Sequence, residues 1–353
     1  MPAKIVELLI PEETTISTAL QKMDEVGYKL LILGEKKSRK FLGLVTIGDI
    51  QRAIISNTPL DNTVISIIRK DFIISTINDN RENIKSVMLK YRLVYMPIID
   101  DDKKIVDIIF WEDIFKEEPN QIFPKLNLPV VIMAGGFGKR LQPLTNVLPK
   151  PLLPFGEKTI LENIIERFSK YDCKTFYISV NYKADFIQFY LDNLKEKDFT
   201  TFLFLEDKPL GTAGSLYLLK DKLTKTFFVS NCDILIDEDY SAIYNYHKMH
   251  NNELTIVASL KQYKIHYGTL ESGENGELIT LKEKPEITFM INCGMYILEP
   301  DLLNEIPNDT FFHITHLIEK IKARGGKVGV FPISEKSWID IGEWPLYSKV
   351  LIT

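Results

Sequence analysis

The sequence predicts an α/β protein in which a doubly wound, mainly parallel sheet follows a smaller α+β unit. Its length of 353 residues is more than one hydrophobic core usually serves, so several domains are expected. Up to about residue 118 the chain has few glycines, and its order of helix and strands repeats. From about residue 128 onward, glycine-rich turns separate apolar strands that alternate with helical segments, an order typical of parallel sheets.

Composition and charge exclude several classes of protein. Charged residues make up 26% of the chain and the net charge is -5, so no basic excess is available to neutralise a nucleic acid. The three cysteines, Cys173, Cys232 and Cys293, are far apart, which argues against a disulfide framework or a zinc site. The sequence has no signal-peptide pattern and no run of about 20 apolar residues. We therefore expect a cytoplasmic protein without nucleic-acid or membrane partners.

An internal repeat organises the first third of the chain. The first copy is predicted to comprise helix Ile16–Val26, strands Lys29–Leu33 and Phe41–Val45, and a helix opened by Thr46–Ile50. The second copy follows about 64 residues later, with helix Glu82–Tyr91, strands Leu93–Ile99 and Ile105–Phe110, and a helix opened by Trp111–Ile114. Neither copy can bury both faces alone, so the two should pack together. The predicted domains are residues 1–57, 58–118 and 128–353, with a proline-containing linker at 119–127.

This repeat resembles a tandem pair of CBS (cystathionine-β-synthase-type) domains over residues 8–116. That family has a glycine in the strand followed by Thr-x-x-Asp, and Gly43, Thr46 and Asp49 match this pattern. The resemblance implies that these residues hold the ribose of an adenine nucleotide, which regulates the neighbouring domain. The second copy keeps Asp113 but has Phe110 in place of the threonine. The alternative is that the pair is only a dimerisation or spacer module.

The second two-thirds of the chain alternates predicted strands with predicted helices. The strands are Pro129–Ala134, Phe176–Val180, Thr201–Glu206, Thr226–Asn231, Leu254–Leu260 and Gly294–Leu298, and the helices are Ile160–Lys170, Ala184–Leu194 and Ala213–Leu219. In doubly wound sheets, ligands bind outside the carboxyl ends of the strands. Residues that directly follow the strands are therefore the first candidates for a functional site.

The segment VVIMAGGFGKRLQPLT, at residues 130–145, gives the strongest functional signal. A buried strand leads directly into Gly135, Gly136 and Gly138. The absence of a β-carbon at these positions lets backbone N–H groups approach a polyphosphate. The loop is neither a Walker A motif nor a GxGxxG motif.

Two cations and a second motif follow the glycine turn. Lys139 and Arg140 come directly after it, and PKPLLPF spans Pro149–Phe155. Together, GGxGxRLxPLT and PKPLLP resemble the signature of the sugar-1-phosphate nucleotidylyltransferases. Members of that family have a Rossmann-like domain that joins a nucleoside monophosphate to a sugar 1-phosphate and releases pyrophosphate. The family's threonine before the arginine is Lys139 in this sequence.

The resemblance implies a role for each matching residue. Arg140 would hold the leaving pyrophosphate, and Lys150 would contact the phosphates at the reacting centre, which suits a compact charge with three donors. The residues implied to bind the nucleotide are Ala134, Gly135, Gly136, Gly138 and Lys139, with Gly211, Thr212 and Gly214 of the helix-opening segment LEDKPLGTAGSL. The residues implied to bind the sugar are Gly268, Glu283, Lys284, Asn292 and Gly294.

The chemistry of that family needs a divalent cation, because two mutually repelling polyanions must meet. We expect Mg²⁺, which takes one or two carboxylates from protein and completes its shell with phosphates and waters. The carboxylates that match the family's metal ligands are Asp233, after the strand FFVSN, and Asp340, in WIDIGEWPLY. The family's glycine before the first aspartate is Cys232 here. Taken alone, each aspartate would also suit a turn or a helix cap.

Several substrates and one different class of function fit these motifs. The order of CBS pair and transferase resembles bacterial guanylyltransferases that make GDP-glucosamine for legionaminic acid, which implies GTP and glucosamine 1-phosphate. The alternatives are mannose 1-phosphate or glucose 1-phosphate with GTP, UTP or dTTP. No general base is expected, because the second pKa of the attacking phosphate is about 6. An inactive sensor of sugar nucleotides is the other class, although the retained aspartates, arginine and lysine argue against it. We also expect a homo-oligomer.

Overall fold

A computed structural model of the chain describes residues 3–35, 38–69, 72–91, 93, 95–110, 123–194, 197–342 and 347. The chain divides into two compact units, Met1–Ile122 and Phe123–Thr353. This boundary lies inside the segment predicted to be a linker. Phe123 and Leu126 pack against the core of the second unit, so the second half of that segment belongs to it. In the described parts of the chain, no helix is long and apolar enough to cross a membrane.

The first unit contains two three-stranded sheets of the same topology. Its helices and strands are α1 (Ala3–Leu8), β1 (Leu9–Ile10), α2 (Ile16–Val26), β2 (Leu30–Gly34), β3 (Phe41–Thr46), α3 (Ile47–Ile55), β4 (Ser75–Thr76), α4 (Arg81–Tyr91), β5 (Tyr95–Ile99) and β6 (Ile105–Phe110). In each sheet a short strand runs parallel to the central strand, which is antiparallel to the third. The predicted repeat is therefore present in the structure. The predicted helix opening at Trp111–Ile114, with Asp113, lies outside the described residues.

The second unit contains the predicted α/β sheet. Its strands and helices are β7 (Val130–Met133), α5 (Leu144–Val147), β8 (Pro154–Phe155), β9 (Lys158–Thr159), α6 (Ile160–Ser169), β10 (Thr175–Val180), α7 (Ala184–Asp192), β11 (Thr200–Leu205), β12 (Phe227–Asn231), β13 (Ile234–Ile236), α8 (Tyr240–Met249), β14 (Leu254–Lys264), β15 (Thr269–Ser272), β16 (Leu278–Lys282), β17 (Glu286–Leu298), α9 (Ile314–Ala323), β18 (Val328–Ile333) and β19 (Trp338–Asp340). Short 3₁₀ helices lie at Val64–Ser66, Lys139–Leu141, Lys150–Leu152, Gly214–Leu219, Glu274–Gly276, Pro300–Glu305 and Glu335–Ser337.

The main sheet has seven strands in the order β11-β10-β7-β12-β17-β14-β18. β7 runs parallel to β10 and β12, β10 to β11, and β14 to β18, whereas β17 is antiparallel to both of its neighbours. The predicted mainly parallel sheet is thus confirmed. Three details differ: β18 was not predicted, the predicted strand Leu254–Leu260 continues to Lys264 as β14, and the predicted strand Gly294–Leu298 is only the end of β17. The predicted helix Ala213–Leu219 is a 3₁₀ helix over Gly214–Leu219, and the Ala213 and Gly214 N–H groups donate to the Phe312 carbonyl.

Both faces of the central strand are buried, as a doubly wound sheet requires. Successive side chains of β7 point to opposite faces. Val130 and Ile132 join a core that includes residues of α6, α7 and α8, while Val131 joins a second core that includes α9 and the 3₁₀ helix at Gly214–Leu219. Helices therefore pack on both faces of the apolar strand β7. The cavity lies at its carboxyl end, at Met133 and the glycine loop that follows.

Candidate active site

The glycine loop begins where β7 ends, at the carboxyl edge of the sheet. The Ala134 N–H donates to Ser179 Oγ of β10 at 3.0 Å, which fixes the start of the loop to the neighbouring strand. Gly138 has φ of 63°, and a β-carbon there would lie 2.8 Å from Cγ2 of Thr145. Thr145 Oγ1 donates to the Gly138 carbonyl at 3.0 Å. The loop therefore needs glycine at this position both for its backbone conformation and for the close packing of Thr145.

A cavity of about 410 Å³ opens above this loop. It is lined by Met133, Gly135, Gly136, Phe137, Gly138, Lys139, Arg140, Lys150, Ser179, Glu206, Pro209, Gly211, Thr212, Asn231, Cys232, Asp233 and Phe311. The structure therefore brings together most of the residues predicted to bind nucleotide and phosphate. It adds residues that the sequence reasoning missed, and Ser179, Glu206 and Asn231 lie at or just after the ends of strands.

Lys150 and Asp233 form an ion pair at the floor of this cavity. Lys150 is only 8% exposed, and its Nζ donates to Asp233 Oδ2 at 2.6 Å. Arg140 Nη2 lies 3.9 Å from the same carboxylate oxygen, and its side chain is exposed. Burial and the short contact hold the Lys150 ammonium against Asp233, whereas Arg140 reaches the same carboxylate from an exposed position. The three side chains therefore place two positive charges and one negative charge beside the glycine loop.

The two aspartates meet through a small sheet built from distant parts of the chain. β13 follows Asp233, β19 ends at Asp340, and the two strands pair antiparallel with Ile234 opposite Asp340. The Ile341 N–H also donates to the Asp233 carbonyl at 2.8 Å. As a result Asp340 Oδ1 and Asp233 Oδ2 both lie within about 3 Å of one point, the position of a β-carbon on Gly342.

The carboxylate pair fits a hard divalent cation. One or two carboxylates are the protein contribution that Mg²⁺ usually takes, and Asp233 lines the cavity. In the part of the chain that the structure describes, no group of three or more His, Cys, Asp or Glu side chains is placed to hold a metal. Burial, and then the charge of Asp233, raise the pKa of the adjacent Cys232 thiol to about 12. The two carboxylates supply oxygen donors, which Mg²⁺ prefers.

Gly342 is a further site residue that the motif search missed. A β-carbon there would lie 2.7 Å from Asp340 Oδ1, 3.0 Å from Asp233 Oδ2 and 3.4 Å from Arg140 Nη2. We expect Gly342→Ala to displace the carboxylates and to lower kcat by roughly 10- to 100-fold, since misplacement of about 1 Å has effects of that size. The measurement is kcat as a function of metal concentration. Gly48→Ala, whose β-carbon would meet nothing closer than 3.5 Å, should leave kcat unchanged. An unaltered kcat and metal requirement in Gly342→Ala would contradict this expectation.

The glycines of the PLGTAG segment have a packing role. A β-carbon on Gly211 would lie 2.7 Å from the Phe312 carbonyl oxygen, and one on Gly214 would lie 2.6 Å from that of Thr310. Thr212 lines the cavity, but its hydroxyl accepts from the Ile314 N–H at 3.0 Å, at the start of α9. These residues therefore join the cavity wall to residues 310–314.

The residues predicted to bind sugar fall into two groups outside the cavity lining. Asn292 accepts from the Gly294 N–H at 3.0 Å and donates to the Tyr296 hydroxyl at 2.8 Å. Gly294 has φ of 80°, and a β-carbon there would lie 2.5 Å from the side-chain amide of Asn231. Asn231 lines the cavity, so Asn292 and Gly294 lie next to a cavity-lining residue but do not line the cavity themselves.

The second group lies where the long β14–β17 ribbon passes into the β15–β16 hairpin. A β-carbon on Gly268 would lie 3.0 Å from Glu283 Oε2, so these two residues are neighbours. Lys284 has φ of 45°, which marks an irregular step in the backbone between β16 and β17. The assignment of this group to a sugar stays a prediction.

The predicted ligand residues of the first unit form a helix cap. Thr46 and Asp49 make a capping box at the start of α3, and the Thr46 N–H donates to Asp49 Oδ2 at 2.9 Å. The other carboxylate oxygen of Asp49 accepts from Arg52 and, at 3.2 Å, from Arg69 Nε. Burial, and then the negative charge of Asp49, raises the pKa of Tyr95 to about 12. A ribose hydroxyl could reach Asp49 only by sharing or replacing the arginine contacts.

A doubly wound sheet that ends in a glycine loop, a lysine–aspartate pair and a second aspartate has the architecture of a nucleotidyltransferase. The chain belongs to the nucleotidyl transferase family, whose model matches residues 129–351. The model of the CBS domain matches residues 7–56, so the first unit contains a CBS domain.

Curated relatives match over this transferase region. The mannose-1-phosphate guanylyltransferase catalytic subunit beta of Dictyostelium discoideum is 33% identical over 223 residues, 61% of this chain and 61% of that protein. The mannose-1-phosphate guanyltransferase of Emericella nidulans is 33% identical over 232 residues, again 61% of each chain. The chain thus spans about three-fifths of the length of these relatives.

Solved structures share the fold of this region. HddC from Yersinia pseudotuberculosis is 26% identical with a TM-score of 0.50, and the match covers 63% of this chain and 97% of that one. A second structure of HddC, complexed with GMP-PN, matches over the same shares with 25% identity and a TM-score of 0.50.

Proposed function

We propose that this chain transfers a nucleoside monophosphate from an NTP to a sugar 1-phosphate and releases pyrophosphate. One observation carries the proposal: the glycine loop, Lys150, Arg140 and the Asp233–Asp340 pair converge at the carboxyl edge of the sheet. Backbone N–H groups, two cations and two carboxylates are the groups needed to bring two phosphate esters together.

The mechanism follows from the charges of these residues. An oxygen of the sugar phosphate attacks the α-phosphorus of the NTP in line, and the bond to the pyrophosphate oxygen breaks. Lys150 is buried beside the reacting phosphates and neutralises the charge that they share, while the exposed Arg140 holds the departing pyrophosphate. Members of the family generally use a divalent metal ion. We propose Mg²⁺, held by Asp233 and Asp340, which when bound offsets the repulsion between the two polyanions.

GTP is the nucleotide that we propose, and the relatives support it. The curated relatives are named as guanylyltransferases, and HddC was solved with GMP-PN. For the sugar, the names of these relatives favour mannose 1-phosphate. The order of a CBS unit before the transferase remains the support for glucosamine 1-phosphate. The two sugars differ at carbon 2, where glucosamine carries an amine.

Glu206 is the side chain that could select guanine. It is 5% exposed, lines the cavity, and its Oε1 lies 2.8 Å from the position of a β-carbon on Gly135. Its Oε2 accepts from the Leu210 N–H at 3.3 Å, which fixes the carboxylate. Guanine presents two adjacent N–H donors, N1 and N2, and a carboxylate can accept from both.

We expect Glu206→Gln to lower kcat/KM for GTP by roughly 10-fold or more, because the amide replaces one acceptor by a donor. The kcat/KM for UTP should change much less, so the measurement is the ratio of kcat/KM for GTP to kcat/KM for UTP. Asp207→Asn, at the exposed neighbouring position, should leave this ratio as it is. An equal loss of kcat/KM for GTP and for UTP would show that Glu206 does not select guanine.

A substrate panel tests the proposed function as a whole. The purified chain is incubated with Mg²⁺, one of four NTPs and one of several sugar 1-phosphates, and pyrophosphate release is measured. Turnover with GTP and one sugar phosphate supports the proposal, and the preferred sugar decides between mannose and glucosamine. The absence of turnover with every pair, together with measurable binding of a GDP-sugar, would support an inactive sensor instead.

We also propose that the first unit is a CBS pair that binds an adenine nucleotide. The CBS match at residues 7–56 and the identical topology of the two sheets support it. Asp49→Asn should weaken AMP or ATP binding by about 10-fold in calorimetric titration, since a charged hydrogen-bond acceptor becomes neutral. Asp61→Asn, at an exposed position, should not change it. If neither nucleotide binds, or if the affinity of Asp49→Asn is unaltered, the dimerisation or spacer module is the better account.

A further inference from the structure

Phe311 presents an aromatic ring in the lining of the cavity. It lies in the segment that precedes α9, and its side chain is 56% exposed. The His313 ring packs against it nearly at right angles, with ring centroids 4.7 Å apart. More than half of the side chain nevertheless stays accessible, so the ring has apolar surface available to a ligand. An aromatic ring that shares a cavity with a glycine loop and cations suits a ligand that joins a flat base to phosphates.

Leu210 connects the segment of Phe311 to Glu206, the carboxylate proposed to read guanine. The Leu210 N–H donates to Glu206 Oε2 at 3.3 Å. The Leu210 carbonyl accepts from the N–H of Phe312, the residue after Phe311, at 2.9 Å. Both Leu210 and Glu206 are buried. The carboxylate and the backbone next to the ring are therefore held by the two polar groups of one residue, which places them at the same end of the cavity.

Further hydrogen bonds fix the backbone that follows Phe311. The Gly214 N–H donates to the Phe312 carbonyl at 2.9 Å, and the Ile314 N–H donates to Thr212 Oγ1 at 3.0 Å. Both bonds join this segment to residues of the PLGTAG segment, which forms part of the cavity wall. The ring is therefore carried by anchored backbone, and a ligand that binds against it needs to order little of the chain.

Phe137 is a second exposed ring in the cavity lining, and it belongs to the glycine loop. Tyr182 packs against it with ring centroids 5.5 Å apart, and Lys139 Nζ lies 5.9 Å from its centroid. The backbone N–H groups and the lysine of this loop suit phosphates. Phe137 therefore stands on the loop proposed to hold the polyphosphate, whereas Phe311 stands on the segment that is bonded to the neighbour of Glu206.

We propose that Phe311 stacks on the guanine base of the bound nucleotide while Glu206 accepts from the edge of the same base. This inference rests on the proposed nucleotidyl transfer and adds a binding residue for its NTP. Stacking on an aromatic side chain tolerates every base, because every base has a π-face. Phe311 therefore contributes affinity, most of all for the two fused rings of a purine, and Glu206 contributes the choice of guanine.

Steady-state kinetics of the full-length chain test the stacking. Phe311→Ala should raise the KM for GTP by roughly 10-fold and leave kcat nearly unchanged, because stacking is equally strong in the ground and transition states. Phe311→Tyr keeps a ring and should retain the wild-type KM. Phe189→Ala removes a ring that is 71% exposed on α7 and does not line the cavity, so its KM should not change. An unchanged KM in Phe311→Ala, or an equal rise in Phe311→Tyr, would overturn the proposal.

Fluorescence separates the stacking from the transfer reaction. Phe311→Trp adds an indole to the three native tryptophans, so its emission is compared with that of the wild-type chain. With Mg²⁺ and no sugar phosphate, GTP should quench the added emission, whereas Phe189→Trp should not respond. Quenching without turnover for any sugar phosphate would support the stacking and contradict the transfer. Turnover with GTP, but with no quenching in Phe311→Trp and an unchanged KM in Phe311→Ala, would support the transfer and contradict the stacking.

Discussion

Asp233→Asn is expected to lower kcat for pyrophosphate release by roughly 10³-fold, which corresponds to about 4 kcal/mol of barrier. Asp233 has two contacts that depend on its charge. It accepts from the buried Lys150 at 2.6 Å, and it stands with Asp340 around one point beside Gly342. Asparagine keeps the shape and one acceptor oxygen but removes the negative charge that a divalent cation needs.

The measurement is kcat over a wide range of Mg²⁺ concentrations, with circular dichroism and thermal unfolding as the test of folding. Thermal stability should fall somewhat, because Lys150 keeps its charge in a largely buried position. Asp221→Asn, at an exposed position, should behave as wild type in both measurements. A folded Asp233→Asn variant with near-normal kcat would remove Asp233 from the proposed metal site.

Lys150→Met is expected to reduce kcat by roughly 10²- to 10³-fold, the size found when a group that stabilises developing charge is removed. Methionine has a similar length and suits the 8% exposure of this position, so the change removes the charge more than the packing. The comparison is with Lys139→Met in the glycine loop, whose side chain is exposed and which should lose less than about 10-fold. Lys170→Met, on the surface at the end of α6, is the control.

Steady-state kinetics with saturating GTP and sugar phosphate distinguish the role of Lys150. A loss confined to KM would mean that Lys150 binds substrate equally in the ground and transition states. A variant at Lys150 that is no slower than the one at Lys139 would contradict a place for Lys150 at the reacting centre.

The sheet and half of the site could be predicted because they depend on local sequence. β7 is an apolar run that ends in glycines, and Asp233 comes two residues after β12. Since β7 and β12 are parallel neighbours, their carboxyl ends meet at one edge of the sheet. The same rule applied to β10 and β11 would also have found Ser179 and Glu206, which lie at the ends of those strands.

Other parts of the site depend on pairing between distant segments, which no local pattern predicts. Asp340 was predicted only from motif resemblance, and it reaches Asp233 because β19 pairs with β13. Phe311 enters the cavity wall beside Phe312, whose backbone hydrogen-bonds to Leu210, Ala213 and Gly214 about 100 residues earlier in the chain. The sugar positions were predicted from motif resemblance, and the backbone places Gly268 and Glu283 together on the ribbon, apart from the described cavity lining.

The pairing of β13 with β19 has a consequence for truncated forms of the chain. A chain that ends before Trp338 contains the glycine loop, Lys150 and Asp233 but lacks Asp340. On the proposed mechanism, we expect such a fragment to release no pyrophosphate, because only one of the two carboxylates would remain to hold the cation.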